Sequence, residues 1–263
     1  MESGLRGKRA LITGGASGIG KGISTALAKE GVDLVIASRN PSQKVINKLK
    51  ENGIKCFGIS ADVSKEEEVI GMVNQAKIIL NGIDIFINNA AWIWHQPVTK
   101  ITTDAFYNTI NTNLAACIWA CREVSKLMIK RNRGNILIVG STSRCFPCYS
   151  ETVYRISKMG LYMYMQNLAI ELAPHGIRVN MVTPGHFETR MTGNISGKFK
   201  DKLKEIIPLG RFGETIEIGY AAVMLISDKL SGYTTGSDII IDGGLSLRPI
   251  SFSNFEEIKR LNL

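Results

Sequence analysis

Long apolar runs are missing from this chain of 263 residues. No stretch is long enough to span a bilayer, and no N-terminal apolar run of signal-peptide type is present. A membrane partner is therefore not expected, and the cytoplasm is the expected setting. Disulfide-framework spacing is missing as well. Five cysteines, an odd number, suit a reducing compartment. Histidine is scarce, and His175 and His186 stand at no metal-ligand spacing, so no metal site is expected. Internal repeats, low-complexity segments and linkers are also lacking, which leaves one domain over residues 1–263. Acidic residues are the minority, 23 against 32 Lys and Arg, for a net charge of +9. The excess is spread over helices, and its densest part, Lys198, Lys200, Lys202 and Lys204, is broken by Asp201 and Glu205. Such spreading describes a solvated, mildly basic surface and speaks against a nucleic-acid partner. With 44% hydrophobic residues, the chain can bury a full core.

What is present is concentrated near the N-terminus. Ala10, Leu11 and Ile12 form a short apolar run, read as a strand buried on both faces, and it ends in Gly14, Gly15, Gly18 and Gly20. A helix pattern follows, with Ile19, Ile23, Ala26 and Leu27 on one side and Gly31 as the stop. Leu34–Ala37 then closes a βαβ unit of about thirty residues. Glycines allow close approach to a pyrophosphate, and the helix N-terminus offers unpaired N–H groups with a partial positive charge. The unit reads as a dinucleotide site.

The pattern continues along the chain. Asn40–Pro41 is expected to start a helix bearing Val45, Ile46 and Leu49, up to Gly53. Cys56–Ile59 reads as a third strand, and Ser64 with Glu67 has capping-box spacing for a helix burying Val69, Met72, Val73 and Ala76. Further strands are expected at Ile83–Ile87, Asn135–Val139, Arg178–Val182 and Asp238–Asp242, with long helices at about Thr103–Lys130 and Glu151–Ala173. Alternation of strands and helices implies an α/β, doubly wound parallel sheet, whose ligands bind beyond the C-terminal strand ends. Gly14–Gly20, Ser38–Arg39, Asp62, Asn88–Ala91, Ser141 and Pro184–Gly185 all fall just there.

Tyr154 and Lys158 lie four apart in a helix pattern and share a face. Ser141 follows the fifth strand at a loop length that can return it beside the tyrosine. A phenol of pKa about 10 is a poor base near neutrality. A lysine ammonium about 4 Å away, at an effective dielectric of about 20, contributes roughly 4 kcal/mol and would draw that value down by about three. Such a tyrosine donates a proton to a carbonyl, or takes one from an alcohol, as hydride moves, while the serine hydroxyl holds the oxygen.

Taken together, Thr13–Gly20, Asp62–Val63, Asn88–Ala90, Asn113, Ser141, Tyr154–Lys158, Pro184–Gly185 with Thr189, and Asp242–Gly244 resemble the short-chain dehydrogenase/reductase family over nearly the full length. The resemblance implies a seven-stranded order of 3-2-1-4-5-6-7 and four catalytic residues. Tyr154 would be the acid/base, Lys158 would lower its pKa and bind the nicotinamide ribose, and Ser141 would polarise the carbonyl. Asn113 would hold a water linking Lys158 to solvent. Around the cofactor, Gly14, Ser17, Gly18, Ile19 and Gly20 would carry the pyrophosphate. Asp62 and Val63 would meet the adenine, Asn89 and Ala90 the adenosine ribose, and Pro184, Gly185, Phe187 and Thr189 the nicotinamide end. A homotetramer or homodimer is implied, with a substrate loop at about 186–214 and a short tail at 249–263. Two positions depart from the family pattern: Ala91 stands where a glycine is usual, and Gly140 where serine is frequent.

Cofactor choice is read from the residues after the second strand. An NAD site usually places a carboxylate there for the ribose 2′-hydroxyl. This chain has Ser38, Arg39 and Asn40, which suit a 2′-phosphate, and NADP(H) is expected over NAD. Ser17 occupies the glycine-loop position where many NADP-binding relatives carry a second basic residue. The substrate is less determined. Asn89–Pro97 and Pro184–Thr192 resemble sugar-acid dehydrogenases of the gluconate 5-dehydrogenase type, so a sugar acid or polyol is the first reading. Trp92, Trp94, Phe146 and Tyr149 suit a hydroxysteroid or another bulky ketone equally, and a 3-oxoacyl reductase is a third reading. A catalytically silent NADP(H) sensor is the reading of another class, although a pure binder has no need of the acid/base pair. Trp92, Trp94 and His95 either line the pocket or pack the loop. Cys145 and Cys148 read as incidental pocket lining, Cys117 and Cys121 as core, and Phe255, Ile258 and Leu261 as an amphipathic tail.

Overall fold

The computed structural model describes residues 2–189 and 197–247. Arg190, Met191, Thr192, Phe255, Ile258 and Leu261 lie outside the described residues. Seven strands form one parallel sheet: β1 (Arg9–Thr13), β2 (Asp33–Ser38), β3 (Cys56–Ser60), β4 (Ile85–Asn88), β5 (Gly134–Val139), β6 (Ile177–Pro184) and β7 (Asp238–Ile241). Their order is β3-β2-β1-β4-β5-β6-β7, with every pair parallel. The order expected from family resemblance is the order observed.

The helices between them are α1 (Gly18–Lys29), α2 (Gln43–Lys50), α3 (Glu66–Leu80), α4 (Thr103–Ile110), α5 (Ala116–Ile129), α6 (Thr152–Leu172), α7 (Gly197–Ile206), α8 (Thr215–Ile226) and α9 (Asp228–Ser231). They divide over the two faces of the sheet, and alternation within the strands follows the division. Leu11, Val35, Phe86, Ile136 and Ile138 pack against α3, α5 and α6. Ala10, Ile12, Leu34, Ile36, Ile85, Ile87 and Leu137 pack against α1, α2 and α8. Both faces are covered, which is why these strands read as continuous apolar runs. Each fully buried Leu, Ile or Phe contributes about 2 kcal/mol.

Two helix starts differ from the sequence expectation. α2 begins at Gln43, capped by the Ser42 hydroxyl accepting from Val45 N at 3.4 Å, and not at Asn40–Pro41. Pro41 instead lies under β3, where a Cβ on Gly58 would come within 2.9 Å of it. The capping box of Ser64 and Glu67 does not form. The Asp62 carboxylate accepts from both N and Oγ of Ser64, and Glu68 accepts from Asp62 N at 2.7 Å, so α3 starts after Lys65. The long helical run from Thr103 is continuous, but one π-turn at Asn111–Ala115 joins α4 to α5.

At the end of the sheet away from these loops, Asp84 gathers a cation cluster. It accepts from Arg9 N, Nε and Nη2 and from Arg131 Nη1, with Arg133 at 3.8 Å. Burial alone would raise its pKa, but the Arg9 hydrogen bonds and the charges of Arg9 and Arg131 hold the carboxyl below its usual range. A depressed carboxyl contributes stability above its unfolded pKa of about 3.9 and loses it as pH falls through the folded value. Asp84→Asn should cost about 2 kcal/mol at neutral pH. Denaturant titrations should show that deficit shrinking below about pH 4; a deficit constant with pH would remove Asp84's ionisation from the account.

Candidate functional site

The glycine turn after β1 is shaped by close approach. Gly14 and Gly18 have φ of 68° and 49°, in the region that favours glycine. A Cβ on Gly20 would lie 2.3 Å from Gly14 O and 2.4 Å from Asn89 Nδ2. Asn89 locks the turn to the end of β4: its Nδ2 donates to Thr13 O at 2.9 Å and Gly14 O at 3.2 Å. Thr13 Oγ1 accepts from the backbone N of Asn89 and of Ala90. α1 starts beyond Ser17, with no side-chain cap and no acidic residue in its first turn. Its N–H groups and the positive end of its dipole are thus left for an anion. Ile19 packs on the core beneath. Gly22 fixes the helix from behind, since a Cβ there would meet Thr215 O in α8 at 2.0 Å.

At the end of β2 the Ser38 hydroxyl is buried and has no hydrogen-bond partner among the described residues, and Arg39 and Asn40 beside it are exposed. An orphaned donor next to an exposed guanidinium fits a phosphate-bearing ribose. Asp62 lies within the field of Arg39. Burial raises its pKa, but the Ser64 hydrogen bonds, Arg39 and Lys65 bring it below the usual carboxylate range. Val63 turns its side chain into the core. At the end of β6, Pro184 and the following Gly185 meet the end of β7, with Gly185 N donating to Ile241 O at 3.0 Å. Phe187 is buried against Gly213, and a Cβ on Gly18 would sit 3.5 Å from the Thr189 methyl. Thr189 therefore returns to the glycine turn, 171 residues along the chain from Gly18. The parts expected to hold a dinucleotide converge on one end of the sheet.

The four expected catalytic side chains lie beside them. Ser141, in extended backbone after β5, accepts from Ser143 N at 3.1 Å and stands near enough to the Tyr154 phenol to act on its pKa. Lys158 is 3% exposed, donates to Val139 O at 3.2 Å and places Nζ 5.7 Å from the Tyr154 ring centre. Burial lowers the Lys158 pKa to about 8. The electrostatics of Tyr154 differ from the sequence expectation. Burial raises the phenol, the Ser141 hydroxyl opposes that rise, and Glu151 and Arg155 are the charges that act on it. In the protein alone, then, burial dominates the tyrosine, and it desolvates the lysine ammonium as well.

Asn113, fully buried in the π-turn, spends its amide on structure. Oδ1 accepts from Trp92 N at 2.7 Å, and Nδ2 donates to Trp92 O at 2.9 Å and Ser157 Oγ at 3.1 Å. The side chain thus staples the loop after β4 to α6. The two departures have local causes. Ala91 needs no left-handed backbone, since its φ is not positive. At Gly140 a Cβ would lie 2.7 Å from Thr183 Oγ1 and 2.8 Å from Met181 Sδ, so neighbours fill the space of a larger residue.

The substrate side is built from three segments. Trp92 and Trp94 stack at 5.5 Å, and Gln96 N donates to Ser150 O at 2.8 Å, joining the loop after β4 to the loop before α6. Two residues that the sequence analysis gave no role in the site, Glu151 and Arg155, join these segments. Arg155 donates from Nη2 to Glu151 Oε2 at 2.8 Å, and from Nη1 to Ser143 O at 2.9 Å and to Phe146 O. Their i, i+4 spacing was the available sign in the sequence. Cys145 and Cys148 are free, and the Cys148 thiol, exposed as a residue but with its sulfur partly desolvated, is pushed up by that desolvation and by Glu151, which argues against a reactive thiolate. His186 is pushed down by burial and stands against Phe212.

Comparison with known proteins agrees with this geometry. Residues 14–246 match a family model described as enoyl-(acyl carrier protein) reductase. A 3-oxoacyl-(acyl-carrier-protein) reductase of Buchnera aphidicola is 35% identical over 241 residues, covering 90% of this chain and 97% of that protein. Glucose 1-dehydrogenase 2 of Bacillus subtilis is 30% identical, with 95% of this chain and 98% of that protein covered. Among solved structures, a short-chain type dehydrogenase/reductase from Mycobacterium marinum superposes with a TM-score of 0.88 at 32% identity, covering 94% of this chain and 98% of that one.

Proposed function

The chain belongs to the short-chain dehydrogenase/reductase family of oxidoreductases, and from that premise we propose that it interconverts a secondary alcohol and a ketone with NADP(H). The observation that carries this reading is the meeting of the Ser141 hydroxyl with the Tyr154 phenol, next to buried Lys158, at the sheet end that bears the glycine turn. Gly14, Ser17, Gly18, Ile19 and Gly20 would hold the pyrophosphate. Ser38, Arg39 and Asn40 would hold the 2′-phosphate, Asp62 and Val63 the adenine, and Asn89 and Ala90 the ribose. Lys158, Pro184, Gly185, Phe187 and Thr189 would hold the nicotinamide end. The bound cofactor supplies the hydride. Tyr154, kept protonated by its burial, gives its proton to the carbonyl oxygen, and Ser141 donates a hydrogen bond to the same oxygen as charge develops there. Lys158 faces the ring and stabilises the phenolate left behind. Asn113 positions the loop and α6, and its remaining Oδ1 lone pair can take a water.

A sugar acid or polyol is the first substrate class, and likeness to glucose 1-dehydrogenase 2 supports it. A 3-oxoacyl substrate is the second, supported by likeness to the Buchnera aphidicola reductase. Consumption of NADPH across a panel of ketoses, keto acids, bulky ketones and 3-oxoacyl thioesters tests the reading. Binding of NADPH with consumption on no member would point to a sensor.

A homotetramer or homodimer is proposed on the same footing. Tyr107 in α4, Met163 and Ile170 in α6 and Tyr220 in α8 are more than half exposed, a cost that a second copy would remove. Sedimentation should show an assembly; a monomer at micromolar concentration would overturn it. Five free thiols suit the proposed cytoplasmic setting.

A further inference from the structure

We propose that Glu151 selects the substrate, its carboxylate accepting a hydroxyl carried near the reacting carbonyl, so that the substrate is a neutral hydroxyketone or the matching polyol. The inference rests on the reading that Tyr154 and Ser141 hold the carbonyl oxygen. Glu151 stands just before α6, three residues from Tyr154 and on the same helix face. It makes no side-chain cap for that helix, and its local partner is Arg155.

Its orientation is fixed, and one oxygen has no hydrogen bond among the described residues. Arg155 holds Oε2 at 2.8 Å and is itself anchored on two loop carbonyls. Oε1 faces His95 Nδ1 across 3.7 Å, too long for a direct hydrogen bond. A hydroxyl can bridge that gap, donating to the carboxylate and accepting from the imidazole. The carboxylate is only 16% exposed, and its charge acts on Tyr154, Cys148 and His186, which come from three segments around the phenol. It therefore lies inside the ring of groups that a substrate would enter.

The same charge disfavours an acid. A substrate carboxylate placed there would meet Glu151, and the nearby guanidinium groups are engaged, Arg155 with Glu151 and Arg144 with Asp238. Of the classes compatible with the fold, the site thus favours a ketose or polyol over a sugar acid, and over an acyl chain that offers no hydroxyl.

Three four-carbon probes separate these outcomes: erythrulose, its deoxy counterpart butanone, and the keto acid oxobutyrate. The wild-type kcat/KM should rank erythrulose first. Glu151→Ala should reduce the erythrulose-to-butanone ratio about 10- to 100-fold, the range for a hydrogen bond to a charged group. Glu151→Gln keeps the shape and an acceptor for Arg155, and should lose part of the ratio while improving the relative rate on oxobutyrate. The NADPH dissociation constant of each variant checks that the fold is intact. Wild-type preference for oxobutyrate, or an equal loss on erythrulose and butanone, would overturn the assignment. Erythritol binding, read from tryptophan fluorescence, should weaken by a similar factor in Glu151→Ala; unchanged binding would also overturn it. Protein that binds erythritol through Glu151 yet consumes NADPH with no ketone would instead contradict the oxidoreductase reading.

Discussion

Replacing Tyr154 with Phe should lower turnover by about 10²- to 10⁴-fold, the range for one general acid/base step. The ring stays, so the packing of α6 and the contact with Lys158 are preserved, and only the transferable proton is removed. NADPH affinity should change little, because in the proposed site the phenol hydroxyl would be one contact among many from five strand ends. The loss should appear in kcat and kcat/KM alike, the pattern of an interaction made in the transition state. Ser141→Ala should act on the same oxygen and be less severe, with the two losses failing to add, as expected of neighbouring groups that act on one atom. Near-normal turnover in Tyr154→Phe would remove the phenol from the mechanism.

The second large effect is a change of cofactor. In the double variant Ser38→Asp with Arg39→Ile, the preference for NADPH over NADH should fall by roughly a hundredfold. Two charge-assisted hydrogen bonds of about 1.5–3 kcal/mol each would set a larger ceiling, but Arg39 is exposed and solvent screens it. The new carboxylate would repel a 2′-phosphate and accept from a 2′-hydroxyl. The buried Ser38 hydroxyl, without a hydrogen-bond partner among the described residues, is the observation that favours this site. If the unaltered protein already has a higher kcat/KM with NADH, Arg39 has another task.

The fold was legible because its signals are periodic and local. Seven apolar runs, each ending in a turn residue, place the strands, and Gly14, Gly18 and Gly31 mark turns whose positive φ the structure confirms. Helix starts were less legible, because side chains compete for the same donors. Ser64 has the spacing of a cap, yet Asp62 two residues earlier takes both its hydrogens. The site residues expected from resemblance converge in space, but their electrostatics did not follow from spacing. A lysine four residues from a tyrosine does not report that both are buried, and burial moves Lys158 down and Tyr154 up. Glu151 and Arg155 escaped notice for a related reason. An i, i+4 pair of opposite charge ordinarily marks a solvated helix face, and only the fold shows this one turned toward the phenol. Likewise Thr13 reads as part of a motif, and its bridge to Asn89 and Ala90 needs β1 and β4 to be neighbours.

The most direct test of the central claim is a single turnover of purified protein with NADPH deuterated at the transferring position and a ketone drawn from the panel. Transfer of deuterium to the former carbonyl carbon, at a rate reduced at least a hundredfold in Tyr154→Phe, is the predicted result. NADPH that binds tightly but passes no deuterium to any ketone, or passes it equally well without the phenol, would contradict the account.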